Sequence, residues 1–145
     1  MELISELKES WGWVGLNPSR IVAENDFGNL IVEDSDGNFW RLCPEEGYCK
    51  VVAYSEAELR LLFDCPDFLL DWEMRLFVDA ARRKLGELKP GMKYCLTIPG
   101  LLGGTYEAEN FASVPIEELV RFSGDIAFQC KDLPDGTQVE LKVID

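Results

Sequence analysis

The order of apolar and polar residues predicts a run of short β-strands in the first third of the chain. Asn29–Asp34 and Phe39–Cys43 both place apolar side chains at the two-residue spacing of a strand. The polar segment Asp34–Asn38 between them has turn chemistry, so the two strands are predicted to form a hairpin. Ile21–Ala23 is a weaker strand before this hairpin, and Tyr48–Tyr54, rich in β-branched and aromatic residues, is a strand after it.

Apolar residues recur at helical spacing in four other stretches. Glu2–Trp11 is predicted to be a short amphipathic helix. Ser55–Phe63 opens on a capping box and is predicted to be a second helix. The longest pattern, Asp67–Leu85, predicts one long helix that packs across the sheet, with Gly86 just beyond its end. A further helix is predicted from Pro115 to about Lys131.

Three more strands are predicted in the second half of the chain, at Lys93–Ile98, Phe111–Val114 and Thr137–Ile144. Strands and helices are mixed rather than strictly alternating, which predicts an α+β fold with a mostly antiparallel sheet. We expect one long helix and two or three shorter helices to pack on this sheet. A length of 145 residues is typical of one domain, so residues 1–145 are interpreted as a single domain.

The composition, 47% hydrophobic and 28% charged residues, is typical of a globular protein, but the charge balance is strongly acidic. Acidic residues outnumber basic ones by 27 to 14, which gives a formal net charge of −13. Direct binding to nucleic acid or to an anionic membrane requires a basic surface, so this balance argues against both. The same charge suits a basic protein partner. No apolar run reaches the length of about 18 residues that a membrane-spanning helix needs.

The chain has no histidine, which excludes Ser-His-Asp and Cys-His catalytic pairs and histidine-ligated metals. Its cysteines are scattered and form no CxxC pair; they are Cys43, Cys49, Cys65, Cys95 and Cys130. The first residues lack the basic segment and apolar run of a signal peptide, so we expect a cytoplasmic location and mostly buried, reduced cysteines. We expect no catalytic residue, no metal and no cofactor.

Two loops contain residues that other proteins use to bind ions or phosphate. The segment Asp34–Asn38 together with Glu45 matches four ligand positions of a calcium-binding EF-hand loop, but Phe39 stands where that loop requires glycine. A hairpin turn accounts for this segment without a metal. The glycine-rich loop Pro99–Tyr106 lacks the GK[ST] ending of a phosphate-binding loop. It is interpreted as backbone that needs positive φ or close packing, and as a candidate wall of a ligand or partner site.

Acidic residues are densest in the predicted β region. Five of them are our candidates for binding a partner: Glu33, Asp34, Asp36, Glu45 and Glu46. If the strands that carry them lie side by side, the five carboxylates would form one acidic surface. Such a surface would steer a basic partner toward the protein.

A candidate pocket combines the hairpin with the glycine-rich loop. Its residues are Trp40, Arg41, Gly103, Gly104 and Tyr106. Arg41 suits a carboxylate or phosphate of a small ligand, with a buried structural ion pair as the alternative. Among the four tryptophans, Trp13 and Trp40 are our candidates for exposed positions at an interface, with burial in the core as the alternative.

Several segments together resemble one bacterial domain family. They are Asn25–Asn29, Val32–Asp34, Phe39–Glu46, Asp71–Glu73, Pro99–Tyr106, Phe122–Asp125 and Lys131–Gly136. The combination is similar to the domain that forms the C-terminal part of immunity proteins against type VI secretion DNase toxins. The resemblance runs from about Trp11 to Ile144. A looser likeness to SUKH immunity domains rests on the topology and on the early tryptophan.

The resemblance implies a small cytoplasmic α+β immunity domain that neutralises a toxin by binding it. With the acidic charge, it leads to the hypothesis of a non-enzymatic inhibitor that covers the substrate groove of a basic, nuclease-like toxin. A small-ligand module with a pocket near Gly100–Tyr106, or a structural domain, is the alternative. An enzyme that uses paired carboxylates, such as Glu45 with Glu46 or Glu117 with Glu118, is a third hypothesis.

Overall fold

The computed structural model describes residues 2–134 and 136–139 and contains two antiparallel sheets. The larger sheet has the strand order β1-β2-β3-β4, in which each strand follows its neighbour along the chain. Its strands are β1 (Pro18–Glu24), β2 (Leu30–Asp34), β3 (Phe39–Cys43) and β4 (Tyr48–Ala53). The smaller sheet pairs β5 (Met92–Leu96) with β6 (Phe111–Pro115). The predicted hairpin is confirmed, with Leu30 opposite Leu42 and Glu33 opposite Phe39.

Five α-helices accompany these sheets in the described part of the chain. They are α1 (Glu2–Trp11), α2 (Glu56–Phe63), α3 (Pro66–Glu73), α4 (Arg75–Leu85) and α5 (Ile116–Cys130). The α+β class is confirmed, and α5, with 15 residues, is the longest of these helices. The predicted cap of α2 is also confirmed, since the Ser55 hydroxyl accepts the Glu58 backbone N–H. None of the described helices is long and apolar enough to cross a bilayer.

The stretch Asp67–Leu85, predicted as one helix, is divided at Met74 into α3 and α4. Met74 has φ of 48°, the left-handed conformation that a side chain other than glycine rarely adopts. Its side chain is buried, and Asn25 donates both to its sulfur at 3.5 Å and to the carbonyl of Trp72 at 2.9 Å. These tertiary contacts offset the local strain, which is on the order of 1–2 kcal/mol.

The core consists of three clusters that cover both faces of the larger sheet. On one face, Leu30 and Val32 pack with Leu7, Trp11 and Val120 from α1 and α5. On the opposite face, the cluster contains Ile31, Phe39, Ala53, Leu59 and Trp72. A third cluster places α4 on the smaller sheet; it contains Phe27, Met74, Val78, Ala81, Tyr94, Leu96 and Phe111. Strand β2 therefore buries side chains on both faces.

Some predicted boundaries differ from those of the structure. Strand β1 begins at Pro18, earlier than the predicted Ile21, and β5 ends at Leu96 rather than at Ile98. The strand predicted at Thr137–Ile144 lies largely outside the described residues, and residues 137–139 are not in a strand. The assignment of residues 1–145 to a single domain stays a prediction.

Candidate functional site

The five candidate acids lie at two opposite ends of strand β3. Glu33 and Asp34 end β2 and Asp36 lies in the β2–β3 turn, whereas Glu45 and Glu46 follow β3 in the β3–β4 turn. The strand between these turns is about 13 Å long, since a strand rises about 3.3 Å per residue. The strands lie side by side as expected, but the carboxylates fall into two groups rather than one.

Asp34 is buried and stabilises its own hairpin. Its carboxylate accepts hydrogen bonds from the backbone N–H groups of Asp36 and Asn38, both at 2.9 Å, and from the indole N–H of Trp40 at 2.9 Å. Burial acts to raise the pKa of Asp34, but these hydrogen bonds outweigh it and hold the pKa below its ordinary value. The ionised carboxylate is therefore part of the turn.

Glu45 is also buried, in a polar network with Asn29. The side-chain amide of Asn29 donates to both carboxylate oxygens of Glu45, at 2.6 and 2.9 Å, and the thiol of Cys43 donates at 3.1 Å. Burial raises the pKa of Glu45 against the effect of these donors. Burial and the nearby Glu45 carboxylate also raise the pKa of the Cys43 thiol, which disfavours a nucleophilic thiolate.

The remaining three acids are accessible to different degrees. Asp36 and Glu46 are exposed, and Glu33 is half-buried in an ion pair with Arg20 at 2.5 Å. Glu46 also accepts a hydrogen bond from the Tyr106 hydroxyl. Binding of a partner by the five acids stays a prediction, and Asp36 and Glu46 are the two that present free surface.

The residues of the candidate pocket are not brought to one cavity. Trp40 and Arg41 are neighbours on β3, and their side chains lie on opposite faces of the sheet. Trp40 packs against the cluster that contains Trp11, whereas Arg41 lies over the rings of Phe68 and Trp72, at 5.6 and 5.3 Å from their centroids.

Arg41 is 5% exposed and is satisfied within the protein. Its guanidinium donates twice to the side-chain amide oxygen of Asn29, at 3.1 and 2.9 Å, and once to the Asp71 carboxylate at 2.7 Å. Asn29 thus links Arg41 to Glu45 through opposite ends of one amide. The structural ion pair, the alternative left open by the sequence, is the arrangement found here.

The glycine-rich loop is closed by Asn110. The Asn110 side chain donates to the carbonyls of Ile98 and Thr105 and accepts the Ile98 backbone N–H, all between 2.8 and 2.9 Å. A β-carbon at Gly104 would lie 1.6 Å from the Ile98 carbonyl oxygen, so this position requires glycine. Tyr106 packs on Phe77 at 4.8 Å between ring centroids. Loop closure accounts for Asn110 and Gly104, and binding of a ligand by Gly103, Gly104 and Tyr106 stays a prediction.

An open groove between α1 and α5 joins residues that no sequence pattern connects. The volume of this groove is about 760 Å³. Its lining consists of Glu9, Ser10, Trp13, Glu118, Arg121, Phe122, Gly124, Asp125 and Phe128. Trp13 was an interface candidate from the sequence, but Phe122 and Phe128 were not. No sequence signal could identify them, because the groove exists only where the two helices cross.

The rings of the groove are held in defined positions. Trp13 meets Phe128 edge-on at 5.4 Å and stacks on the buried Trp11 at 5.7 Å. Its indole N–H donates to the carbonyl of Ser10 at 2.9 Å. A β-carbon at Gly124 would lie 2.4 Å from the same carbonyl oxygen, so glycine permits the close approach of α5 to α1.

The charge of the groove is negative. Glu9, Glu118 and Asp125 are exposed, and none of them pairs with a cation among residues 2–134 and 136–139. The lining contributes one cation, Arg121, which pairs with Glu6 at 2.7 Å. Burial acts to raise the pKa of Glu6, but this pairing and a bond from Ser10 hold it below the ordinary value.

The described residues contain no cluster of three or more acidic or cysteine side chains suited to a metal ion.

Part of the chain matches a known protein family. Residues 54–127 match the family described as T6SS immunity protein Tdi1, C-terminal. The match runs from just before α2 into α5 and includes Asp71 and Phe122. No curated protein matches the chain.

Proposed function

Because the chain belongs to the family of the C-terminal domain of the type VI secretion immunity protein Tdi1, we propose that it protects its own cell by binding a toxin. The toxin in this proposal is a basic, nuclease-like protein, and the complex forms in the cytoplasm. Bound immunity protein covers the groove through which the toxin reaches its substrate. The family match is the observation that carries the proposal.

The charge of the chain supports a basic partner. A nuclease needs a positive surface to bind the phosphate backbone of its substrate. A protein of net charge −13 is attracted to that same surface and is steered toward it from a distance. Occupying the surface excludes the substrate both sterically and by neutralising its charge. Inhibition therefore requires no chemical step by the immunity protein.

The buried polar groups support binding rather than catalysis. The Asn29 side-chain amide binds both the Arg41 guanidinium and the Glu45 carboxylate, and a further guanidinium N–H of Arg41 donates to Asp71. The raised pKa of Cys43 keeps its thiol protonated at neutral pH. These groups are committed to the fold, which leaves the accessible surface as the functional part of the protein.

Purification of the tagged protein from its own cells, grown while they express their secretion toxins, tests the proposal. Mass spectrometry should identify a stoichiometric basic protein that dissociates as the salt concentration rises, because attraction between exposed charges is screened by salt. Expressing that protein in a recipient strain should stop growth, and co-expression of this chain should restore it. Recovery of the protein alone, or of a partner whose toxicity it does not relieve, would refute the proposal.

A further inference from the structure

We infer that the α1–α5 groove is a docking site for an arginine- or lysine-bearing apolar segment of the toxin. The groove is lined by three aromatic residues, Trp13, Phe122 and Phe128, which we call its floor, and by three acids, Glu9, Glu118 and Asp125, which we call its rim. This inference rests on the proposed function and names the surface through which it acts. This surface differs from the set of five acids predicted from the sequence, two of which, Asp34 and Glu45, are buried.

Three exposed aromatic rings in one place are the first support. Trp13, Phe122 and Phe128 are 38%, 44% and 49% exposed, and all three line the same cavity. Single exposed apolar side chains are common on proteins, whereas clustered ones mark binding surfaces. Aromatic side chains also dominate the energetics of protein interfaces because they bury much area at little entropic cost.

Charge complementarity determines the occupant. Carboxylates and aromatic rings in one lining suit a guanidinium or an ammonium group, which gains from the ring faces and from the carboxylates together. The rim acids Glu9, Glu118 and Asp125 pair with no cation of the described chain, so their charge is available to a partner. The one cation of the lining, Arg121, pairs with Glu6 and lies within electrostatic range of Glu9 and Glu118, and one cation against three acids leaves the lining negative. An acidic occupant would add to this negative charge, and a purely apolar one would leave it unopposed.

The floor of the groove is preorganised. Trp13 is held by Trp11 beneath it, by Phe128 beside it and by the Ser10 carbonyl at its indole N–H. The close approach at Gly124 sets the spacing of the two helices that form the walls. Side chains that are ordered before binding lose less entropy on binding, which raises affinity for a fitting partner.

Nuclear magnetic resonance with a synthetic probe tests the groove without the toxin. The probe is a short amphipathic peptide with arginine on one face and leucine on the other. We expect chemical-shift changes centred on the Trp13 indole N–H and on the amides of Phe122 and Phe128. A peptide of equal charge without leucine should bind more weakly, and an acidic peptide should not bind. Shifts centred on the β2–β3 turn, or no shifts, would overturn the inference.

Two exposed phenylalanines allow a test against the toxin with little risk to the fold. The double variant Phe122→Ser/Phe128→Ser should weaken toxin binding by at least about tenfold, since exposed aromatic anchors contribute strongly. The matched control is Leu70→Ser/Leu76→Ser, whose side chains are 72% and 81% exposed and lie outside the groove. The control should leave binding unchanged. Urea unfolding of both variants verifies that they remain folded.

The peptide titration and the toxin-binding variants distinguish an error in the groove inference from an error in the proposed function. If the unaltered protein protects cells and the groove variant protects equally well, the groove inference is wrong and the immunity function stands. If no toxin is bound at all, the proposed function fails, and peptide binding then decides whether the groove recognises cationic apolar segments.

Reversing Glu118 and Asp125 to lysine should reduce the salt dependence of binding, whereas Asp64→Lys, remote from the groove lining, should not.

Discussion

The backbone carbonyl of Ser10 in α1 faces Gly124 in α5 so closely that a β-carbon at position 124 would stand 2.4 Å from its oxygen. The same carbonyl accepts the indole N–H of Trp13. One backbone group thus defines both the crossing of the two helices and the position of the aromatic floor. Substitution at Gly124 should therefore disturb stability and groove together.

Gly124→Ala should lower the free energy of unfolding by about 1–3 kcal/mol, because the added methyl group has no room against the Ser10 backbone. In a helix with free space at this position, the same change would stabilise the protein by up to about 1 kcal/mol. The sign of the change in unfolding free energy therefore shows whether α1 and α5 are in close contact at Gly124. Urea unfolding measures the difference. Gly12→Ala is the matched control, since a β-carbon there meets nothing within 4 Å. Equal effects of the two variants would contradict the predicted close contact.

Arg41 and Asp71 form one ion pair but should contribute unequally. Arg41→Met should cost about 2–3 kcal/mol, because it removes two donors from the buried oxygen of Asn29 and a cation from two aromatic rings. Asp71→Asn should cost at most about 1 kcal/mol, since the Asp71 side chain is 70% exposed and solvent screens the pair. Denaturant unfolding of both variants at the same pH checks the ranking. A larger loss from Asp71→Asn would show that the ion pair, rather than Asn29, holds the guanidinium.

Asp34 should give the hairpin a stability that disappears in acid. Its pKa in the folded protein lies below the ordinary value of 3.8, so the unfolded chain takes up this proton first as the pH falls. The stabilisation is complete well above pH 3.8 and is lost as the pH falls through the lower, folded pKa. Asp34→Ala should cost about 1–2 kcal/mol at neutral pH, and the difference from the unaltered protein should shrink at strongly acidic pH.

Asp36→Ala serves as the control for this pH series. Asp36 is exposed, and within the described residues its carboxylate accepts no hydrogen bond. Its effect should be within about 0.5 kcal/mol at all pH values. If Asp34→Ala destabilised the protein equally at neutral and strongly acidic pH, the carboxylate charge would not be the source of the effect.

Asn110→Ala should open the glycine-rich loop. Removing the side chain leaves two carbonyls and one N–H of the loop without their partner, at a cost of about 1–3 kcal/mol. Amide hydrogen exchange at Ile98 should accelerate at least about tenfold, whereas amides of β2 should change less. Asn17→Ala is the control, since Asn17 makes an exposed side-chain contact with Ser35. Unchanged exchange at Ile98 would contradict closure of the loop by Asn110.

The cysteines should react with a thiol reagent in the order of their exposure. Cys65 is exposed and should react first, followed by the half-buried Cys130. Burial raises the pKa of Cys49 to about 12 and that of Cys95 to about 11, so these thiols remain protonated as well as covered. They and Cys43 should react only when the protein unfolds. Mass spectrometry of partially labelled protein gives the order, and early labelling of Cys49 or Cys95 would contradict it.

Local patterns were sufficient for most individual elements. The hairpin of β2 and β3 follows from two short apolar segments around an Asp-Gly-containing turn, because register and turn chemistry act over a few residues. The end of α4 follows in the same way: its last turn is basic, and Gly86 adopts positive φ just beyond it. The acidic balance was equally available from the sequence, since charge is a sum over residues.

The sequence could not predict Met74, Arg41 or the groove, because each depends on residues distant along the chain. Helical spacing continues through Met74, and only burial against Asn25 and the third core cluster accounts for the break. The sequence left Arg41 open to a ligand or to a structural partner. In the structure, β3 packs against Trp72 and places the Arg41 guanidinium on Asn29. Glu45 became internal through its bond with Asn29, whereas Asp34 is held by its own turn.

The sequence by itself determined the α+β class, the positions of most strands and helices, the net negative charge and the resemblance to an immunity family. These properties depend on periodicity, on capping and turn residues, and on composition. The tertiary structure alone decided which acids are accessible, whether Trp40 and Arg41 share a face, and that Trp13 meets Phe122 and Phe128 in one groove. Such relationships arise when elements distant in sequence exclude water between them, and no local pattern encodes which side chains then remain exposed.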